Sequence, residues 1–236
     1  MHSQDDPPPQ TVRSSGNSYP HLQPTQPLEL IQVDIVPHYL PGGPCVSCFN
    51  AIDVVSRYPA GQSFLTKRSA DASNFLLHVW REIGIPEYTL VDNESCFSGG
   101  FTHPGVLGKV LRLALLVGTQ LVFTPIRHPE SNGTIERFHQ DYSKNVWDKI
   151  ELPNFQAVEQ HSPAFFEAYR HSEHHSALRG HCPADLHPVR LTCSIPEDFC
   201  LPGRLPLTTG QVHFIRRVSQ GGQVRILNLD WEVLLA

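Results

Sequence analysis

Long apolar runs are missing from this chain. The longest candidate, Val110 to Val117, carries Arg112, and it falls short of the ~18 apolar residues a membrane span needs. A membrane partner is therefore not expected. Residues Met1 to Pro27 show neither a charged n-region nor an apolar h-region, so no secretion signal is read and a cytoplasmic protein is expected, nucleoid-associated if the source is bacterial. An excess of basic residues is missing too. Lys and Arg number 18 against 23 Asp and Glu, for a net charge of −5, which argues against nucleic-acid binding through one large basic face. The 14 histidines add positive charge only below about pH 6.5. The six cysteines are scattered, without the density of a secreted disulfide scaffold. Disorder of the whole chain is excluded, because 40% of residues are hydrophobic and only 17% charged.

What the chain does have is a run of turn formers that switches into a helix, Pro125 to Gln140, PIRHPESNGTIERFHQ. Ile135, Phe138 and Tyr142 recur at helical steps and make an apolar stripe. Asn132 is the expected N-cap. Glu136 then stands one turn in, off the stripe, with Arg137 beside it. Taken alone, a Glu in a first turn only complements the helix dipole, for about 0.3–1 kcal/mol. Two further carboxylates change its meaning.

Asp34 interrupts an apolar run, Leu30 to Val36, of strand length and stopped by Pro37. Such a carboxylate is expensive unless it is paired, hydrogen-bonded or metal-bound. Strands over Cys45 to Ser56 and Gly61 to Lys67 complete an antiparallel meander. A helix over Ser69 to Gly84, capped by Ser69, leads to a fourth strand, Tyr88 to Asn93, ending near Asp92. The strand–helix–strand order predicts that this strand lies parallel to the first, so Asp34 and Asp92 fall on neighbouring strands. A loop at Ser98 to Pro104, a helix over Val106 to Val117, a fifth strand at Gln120 to Thr124 and a helix over Phe155 to Arg170 follow. Residues 1–27 read as a disordered leader, 28–190 as the main domain and 191–204 as a Pro-containing linker. Residues 205–236 read as a small β-barrel-like unit with strands Val212–Val218, Val224–Leu227 and Trp231–Leu235, the first two joined by a hairpin at Gly221-Gly222. Cys45-Val-Ser-Cys48 has zinc spacing, and a His-rich run lies at His171 to His175. A single CxxC with strand-like flanks reads first as a buried pair of plain thiols, ahead of a zinc site.

If Asp34, Asp92 and Glu136 converge, bare charges about 4 Å apart repel by about 4 kcal/mol per pair at an effective dielectric of 20. Such a cluster holds cations or takes up protons. Hard oxygen donors suit Mg²⁺ or Mn²⁺, two of which clamp the oxygens of a phosphodiester.

The runs QVD around Asp34, VDN around Asp92 and HPESNGTIERFHQ around Glu136 resemble the DDE catalytic core of retroviral-type integrases and insertion-sequence transposases. Ile52-Asp53-Val-Val-Ser-Arg-Tyr58 is similar to that family's second-strand D..SR segment, where Asp53 is structural. Tyr169…His175-Ser-Ala-Leu178…Pro183-Ala-Asp185 is similar to the YN..RPH.AL…TPAE ending of bacterial transposase cores. The resemblance covers Leu28 to Leu186. It implies an α/β, RNase H-like fold with a mixed five-stranded sheet flanked by helices. It implies metal-dependent DNA cleavage and strand transfer at Asp34, Asp92 and Glu136, with His128, Asn132, Arg137 and Lys144 bordering the DNA. It implies two Mg²⁺ or Mn²⁺ ions in the DNA-bound state, and DNA (element ends and target) and further copies of the chain as partners.

Departures from the pattern are informative. Asp92-Asn93-Glu94 replaces the usual DNG, Glu173 stands where Arg is expected, and the 44-residue interval from Asp92 to Glu136 exceeds the retroviral spacing, with the insertion expected in residues 98–113. No helix-turn-helix or zinc module precedes the core, as a truncated transposase would show. The competing expectations are a catalytically degenerate remnant that binds DNA or protein weakly, and an RNase H-like nuclease without strand transfer.

Overall fold

The computed structural model describes residues 21–99, 104–125, 132–188 and 195–233. Its centre is β1 (Leu30–Tyr39), antiparallel to β2 (Cys45–Asp53), which in turn pairs antiparallel with β3 (Pro59–Phe64). The apolar run of β1 does not stop at Pro37, as the sequence reading expected. Parallel pairing with β4 (Tyr88–Val91) covers only Leu30 to Gln32, so at Pro37 the strand is an edge on that side and the missing N–H leaves no gap in a ladder. The meander and the parallel β1–β4 crossover follow the sequence.

Helix α1 (Ser69–Glu82) makes that crossover, and Gly84, at φ +105°, turns the chain out of it. Ser69 is its first residue rather than its cap. The Asp71 carboxylate reaches back to accept from the Arg68 N–H at 2.8 Å and from the Thr66 hydroxyl. A four-residue helix α2 (Ser95–Ser98) follows β4, and α3 (Lys109–Val117) leads into β5 (Gln120–Phe123), parallel to β4. The α3 helix starts three residues later than expected. Gly105, at φ +73°, donates its N–H to Leu227 O at 2.9 Å, which draws residues 105–108 into a turn. Helix α4 (Gly133–Tyr142) continues as a π-helical turn, Ser143–Trp147, before α5 (Phe155–His171) and the short α6 (Pro183–Leu186).

Strand alternation sorts the core into two layers. Ile31, Val33, Phe49 and Ala51 face α1 and α3, whereas Val46, Cys48 and Ile52 face α4 and α5. Gly61 of β3 is where the second layer is tightest, because a Cβ there would meet the Phe166 ring of α5 at 2.0 Å.

The fold is the mixed RNase H-like sheet with flanking helices, but it carries a sixth strand. β6 (Val212–Phe214) pairs parallel with β5, giving the order β3-β2-β1-β4-β5-β6. The sequence reading put Val212 in a separate unit. Three residues of strand pattern cannot report which sheet they join. The described part of the expected linker is likewise packed down. Ile195 and Leu205 are buried in the α1/α3 layer, and Arg81 of α1 donates to Phe199 O at 2.7 Å. What forms a separate sheet is one antiparallel hairpin, β7 (Gln223–Ile226) and β8 (Leu229–Glu232). Its two-residue turn is Leu227-Asn228, at φ +51° and +61°. A turn with both central residues left-handed normally advertises itself as Asn-Gly, and Leu-Asn does not. The hairpin expected at Gly221-Gly222, between the strands at Val212 and Val224, is reduced to a tight turn with Gly222 N–H on Ser219 O at 3.0 Å, because β6 joins β5 instead of β7.

Asp53 shows how the sheet is locked. It is fully buried, and its two oxygens accept from the N–H groups of Leu28 (2.7 Å), Val55 (3.0 Å) and Ser56 (2.7 Å) and from the Ser56 hydroxyl (2.9 Å). One side chain thus fastens the entry of β1 to the exit of β2. Asp53→Ala is expected to lower stability by about 3–5 kcal/mol, the usual loss when a buried, charge-assisted network is broken, read as the shift of a urea unfolding curve at unchanged slope.

Candidate functional site

The β1–β4 register pairs Leu30 with Tyr88, Ile31 with Thr89 and Gln32 with Leu90. Two steps further on, Asp34 and Asp92 stand at one level, and alternation puts both on the face that α4 covers. Each is half-buried. Asp34 Oδ1 accepts from Ile35 N–H at 2.8 Å, and Asp92 Oδ1 from Glu94 N–H at 3.0 Å. These bonds fix the carboxylates in short local turns at the carboxyl ends of parallel strands, where sites of open α/β sheets gather.

Their charges interact. Burial, then the nearby charge of Glu136 and Glu94, pushes Asp34 up to about 6, against the opposing pull of the Ile35 N–H. Burial, then Glu94 and Asp34, pushes Asp92 up to about 7. Glu136 is one turn into α4, exposed and off the buried stripe of Ile135, Phe138 and Tyr142. It is near enough for Asp34 to feel, yet among the described residues no three His, Cys, Asp or Glu side chains stand close enough to hold a metal together.

The N-cap is not as the sequence reading had it. Asn132 stands at the cap position but makes no capping bond. The free N–H of Ile135 is taken by Gln32 Oε1, at 3.1 Å, from β1. The residue two before Asp34 therefore holds the helix that carries Glu136. A second tie comes from Arg57, left-handed at φ +62°, which donates to the Thr134 hydroxyl on α4. Neither tie was foreseen. Gln32 alternates with Asp34 along β1, and a polar residue at a buried position was the available signal. His139 lies one turn past Glu136, with Nδ1 3.6 Å from Asp34 Oδ2. Burial and the neighbouring His38 hold it down to about 4, so it is neutral at pH 7 and the contact is not an ion pair.

Glu94, where the family pattern has Gly, has φ −55° and ψ 140°, a conformation open to any residue. Its charge is met by Lys67 Nζ at 2.8 Å. The substitution therefore strains nothing. Of the expected DNA-bordering residues, Arg137 is exposed and 3.5 Å from Asp141, Lys144 is exposed, and Asn132 is half-buried. His128 lies outside the described residues. Cys45 is exposed while Cys48 is buried, three steps along one strand and so on opposite faces, and burial raises the Cys48 thiol to about 11. His174 contacts Gly180 O at 2.6 Å, and His175 packs on Tyr169 at 4.4 Å. These arrangements are those of packing residues rather than of a zinc site. A cavity of about 340 Å³ between β3, α1 and α5, lined by His78, Glu82 and Arg170 among others, contains none of the candidate site residues.

Chemically, two oxygen-donor side chains on one ledge, with a third carboxylate on a facing helix, form a donor set that fits a hard divalent cation and no soft one. The fold is that of the RNase H-like integrase cores. A family model, the integrase core domain, matches residues 117–183. A chain of the simian T-cell lymphotropic virus intasome, solved in complex with PP2A regulatory subunit B56 gamma, superimposes with a TM-score of 0.60 at 17% identity, over 86% of this chain and 66% of that one. The HTLV-2 integrase catalytic core domain, in complex with magnesium, gives 0.54 at 13% identity, over 70% of this chain and 100% of that one. The catalytic core of BIV integrase gives 0.50 at 15%, over 68% and 93%. No curated protein matches the sequence. The family model and the shared fold agree with the resemblance read from the sequence, and the fold is what the solved structures show.

Raised carboxylates carry a consequence for stability. A carboxyl whose folded pKa lies above its unfolded value binds its proton more tightly when folded, so the native state loses stability as pH rises through that window. For Asp34 and Asp92 the window is pH 4 to about 7. Asp34→Asn and Asp92→Asn keep the acceptor for the local N–H and remove the charge. Each is expected to stabilise the metal-free chain at pH 8 by on the order of 1–3 kcal/mol, and to leave it nearly unchanged at pH 4, as thermal melts at the two pH values will report.

Proposed function

We propose that this chain is the catalytic core of a DDE-type transposase or integrase, acting on DNA phosphodiesters through Asp34, Asp92 and Glu136. The observation that carries this reading is the β1–β4 register, which brings two half-buried, mutually repelling carboxylates to one level beneath the helix that bears the third. Mg²⁺ or Mn²⁺ held by the three would supply Lewis-acid polarisation of the scissile phosphate and a lowered pKa for attacking water or a 3′-hydroxyl. The HTLV-2 relative solved with magnesium supports that choice of ion.

The chain's own part is positioning. Asp34 and Asp92 are fixed by the Ile35 and Glu94 N–H groups, and Glu136 rides on a helix tied to β1 by Gln32 and to the β2 turn by Arg57. Exposed Arg137 and Lys144, on the same helix and its π-helical extension, are the cations nearest in sequence for a DNA backbone. Because the net charge is −5, the DNA path is a narrow one beside the acids rather than a broad basic face. The HTLV-2 core is known in trimeric and dimeric forms, and assembly of several copies on DNA is part of this proposal. The exposed Glu136, not closed on the other two acids, favours a second reading in which the scaffold has lost activity.

The test is Mn²⁺-dependent nicking and end joining of DNA by the wild-type chain and by Glu136→Gln. Even outer-shell changes cost metal sites about 10–100-fold, so loss of a ligand should bring the nicking rate below about a hundredth with an unchanged melt. Nicking by Glu136→Gln at the wild-type rate would falsify the three-acid assignment. A wild-type chain that neither binds Mn²⁺ nor nicks is the degenerate scaffold, and nicking without joining defines a nuclease.

A further inference from the structure

The sixth strand does more than lengthen the sheet. Without β6, strand β5 would be the edge, and β5 leads directly into the Pro125–Ser131 segment ahead of α4. Leu121, Val122 and Phe123 pair with Val212, His213 and Phe214, and Ile215 N–H continues to Phe123 O at 3.2 Å. The Phe123 and Phe214 rings stack with centroids 4.7 Å apart and planes 1° from parallel, and the Arg216 guanidinium lies over Phe214 at 5.4 Å. That stack aims Arg216 along the carboxyl edge of the sheet, towards the residue that follows Asp92.

There the contacts close a ring. Arg216 Nη2 donates to Asn93 Oδ1 at 2.5 Å and Nη1 donates to Thr124 O at 3.0 Å, while Asn93 Nδ2 donates to the same Thr124 O at 2.8 Å. Thr124 N–H in turn donates to Val91 O at 3.0 Å. A planar, forked guanidinium can bridge two acceptors at a fixed separation, which the single ammonium of Lys cannot reproduce. Asn93 is thereby held through both ends of its amide, and it sits between Asp92 and Glu94, whose N–H orients the Asp92 carboxylate.

We infer that Arg216 is a positioning residue for the site. Delivered by the C-terminal strand, it clamps Asn93 to the end of β5 and so fixes the turn that presents Asp92. The catalytic edge is then incomplete without the segment beyond the core, and detachment of β6 would loosen Asp92 without touching it. The inference rests on the function proposed above only for its effect on metal and DNA; the clamp itself is a property of the fold.

The experiment compares the full chain with Arg216→Ala, Arg216→Lys and, as an exposed neighbour, Arg217→Ala. Hydrogen–deuterium exchange of residues 92–98 reads the turn, and the Mn²⁺ concentration giving half-maximal DNA nicking reads the site. Arg216→Ala should speed exchange across 92–98 several-fold and raise half-saturating Mn²⁺ by about tenfold or more. Arg216→Lys should recover only part, and Arg217→Ala should match wild type in both. Should Arg216→Ala fail to fold, Arg216→Lys carries the test, because it keeps the charge but loses the planar fork. Wild-type exchange at 92–98 in the folded Arg216 variant overturns the clamp. Faster exchange with unchanged Mn²⁺ dependence leaves a merely structural tie and overturns the positioning role. If no chain nicks DNA, the proposed function fails, while exchange still decides the clamp and Mn²⁺ binding measured by calorimetry decides the positioning role.

Discussion

Two carboxylates at the same height on adjacent parallel strands repel each other, and nearly everything around them answers that repulsion. Burial raises the cost by withholding water, and Glu94 and Glu136 add to it. Against this stand two backbone N–H groups and Lys67, which lower the acids' affinity for protons without cancelling the excess. The rest of the sheet is strongly fastened elsewhere, which offsets that cost. Asp53, with four donors on one buried side chain, is the clearest such fastening. A cation bound among the acids would reverse the sign of the local term, turning an unfavourable spot into a favourable one.

Rigidity is distributed so that this spot cannot relax by moving its strands. Gln32 links β1 to the start of α4, Arg57 links the β2 turn to the same helix, and Asn93 links β4 to the end of β5. Each tie joins an element at or beside an acid to its neighbour through groups other than the acid itself. The carboxylates are therefore held by their neighbours' hydrogen bonds rather than by each other. That is the geometry expected of a preorganised site, in which supporting contacts fix the donors before the ligand arrives.

Much of this was legible in the sequence, for definite reasons. The helical stripe of Ile135, Phe138 and Tyr142 is buried to within 1% exposure, because a 3.6-residue period has one interpretation once a Gly-containing turn precedes it. Parallel pairing of β1 and β4 followed from the strand–helix–strand order, since a helical crossover returns the chain in the same direction. What escaped reading was long-range: Gln32 as the cap of a helix a hundred residues away, β6 as a member of the main sheet, and Leu227-Asn228 as a hairpin turn. Caps, edges and turn angles are chosen by tertiary neighbours, and no local pattern records them. Pro37 misled for a related reason, since its cost depends on whether a partner strand runs beside it.

Glu94, which departs from the family pattern beside Asp92, has different consequences for the backbone and for the electrostatics. Glu94 occupies ordinary backbone space and is neutralised by a lysine 2.8 Å away, so the lost glycine removes no conformation the turn requires. What Glu94 does alter is electrostatic: it is the largest like-charge contribution to raising Asp92. Under the proposed function, a site so biased towards protonation would give up part of its affinity for a cation at neutral pH and regain it as pH rises. The substitution thus tunes the acids rather than dismantling them, and the fold around it is built as though the tuning has to be held in place.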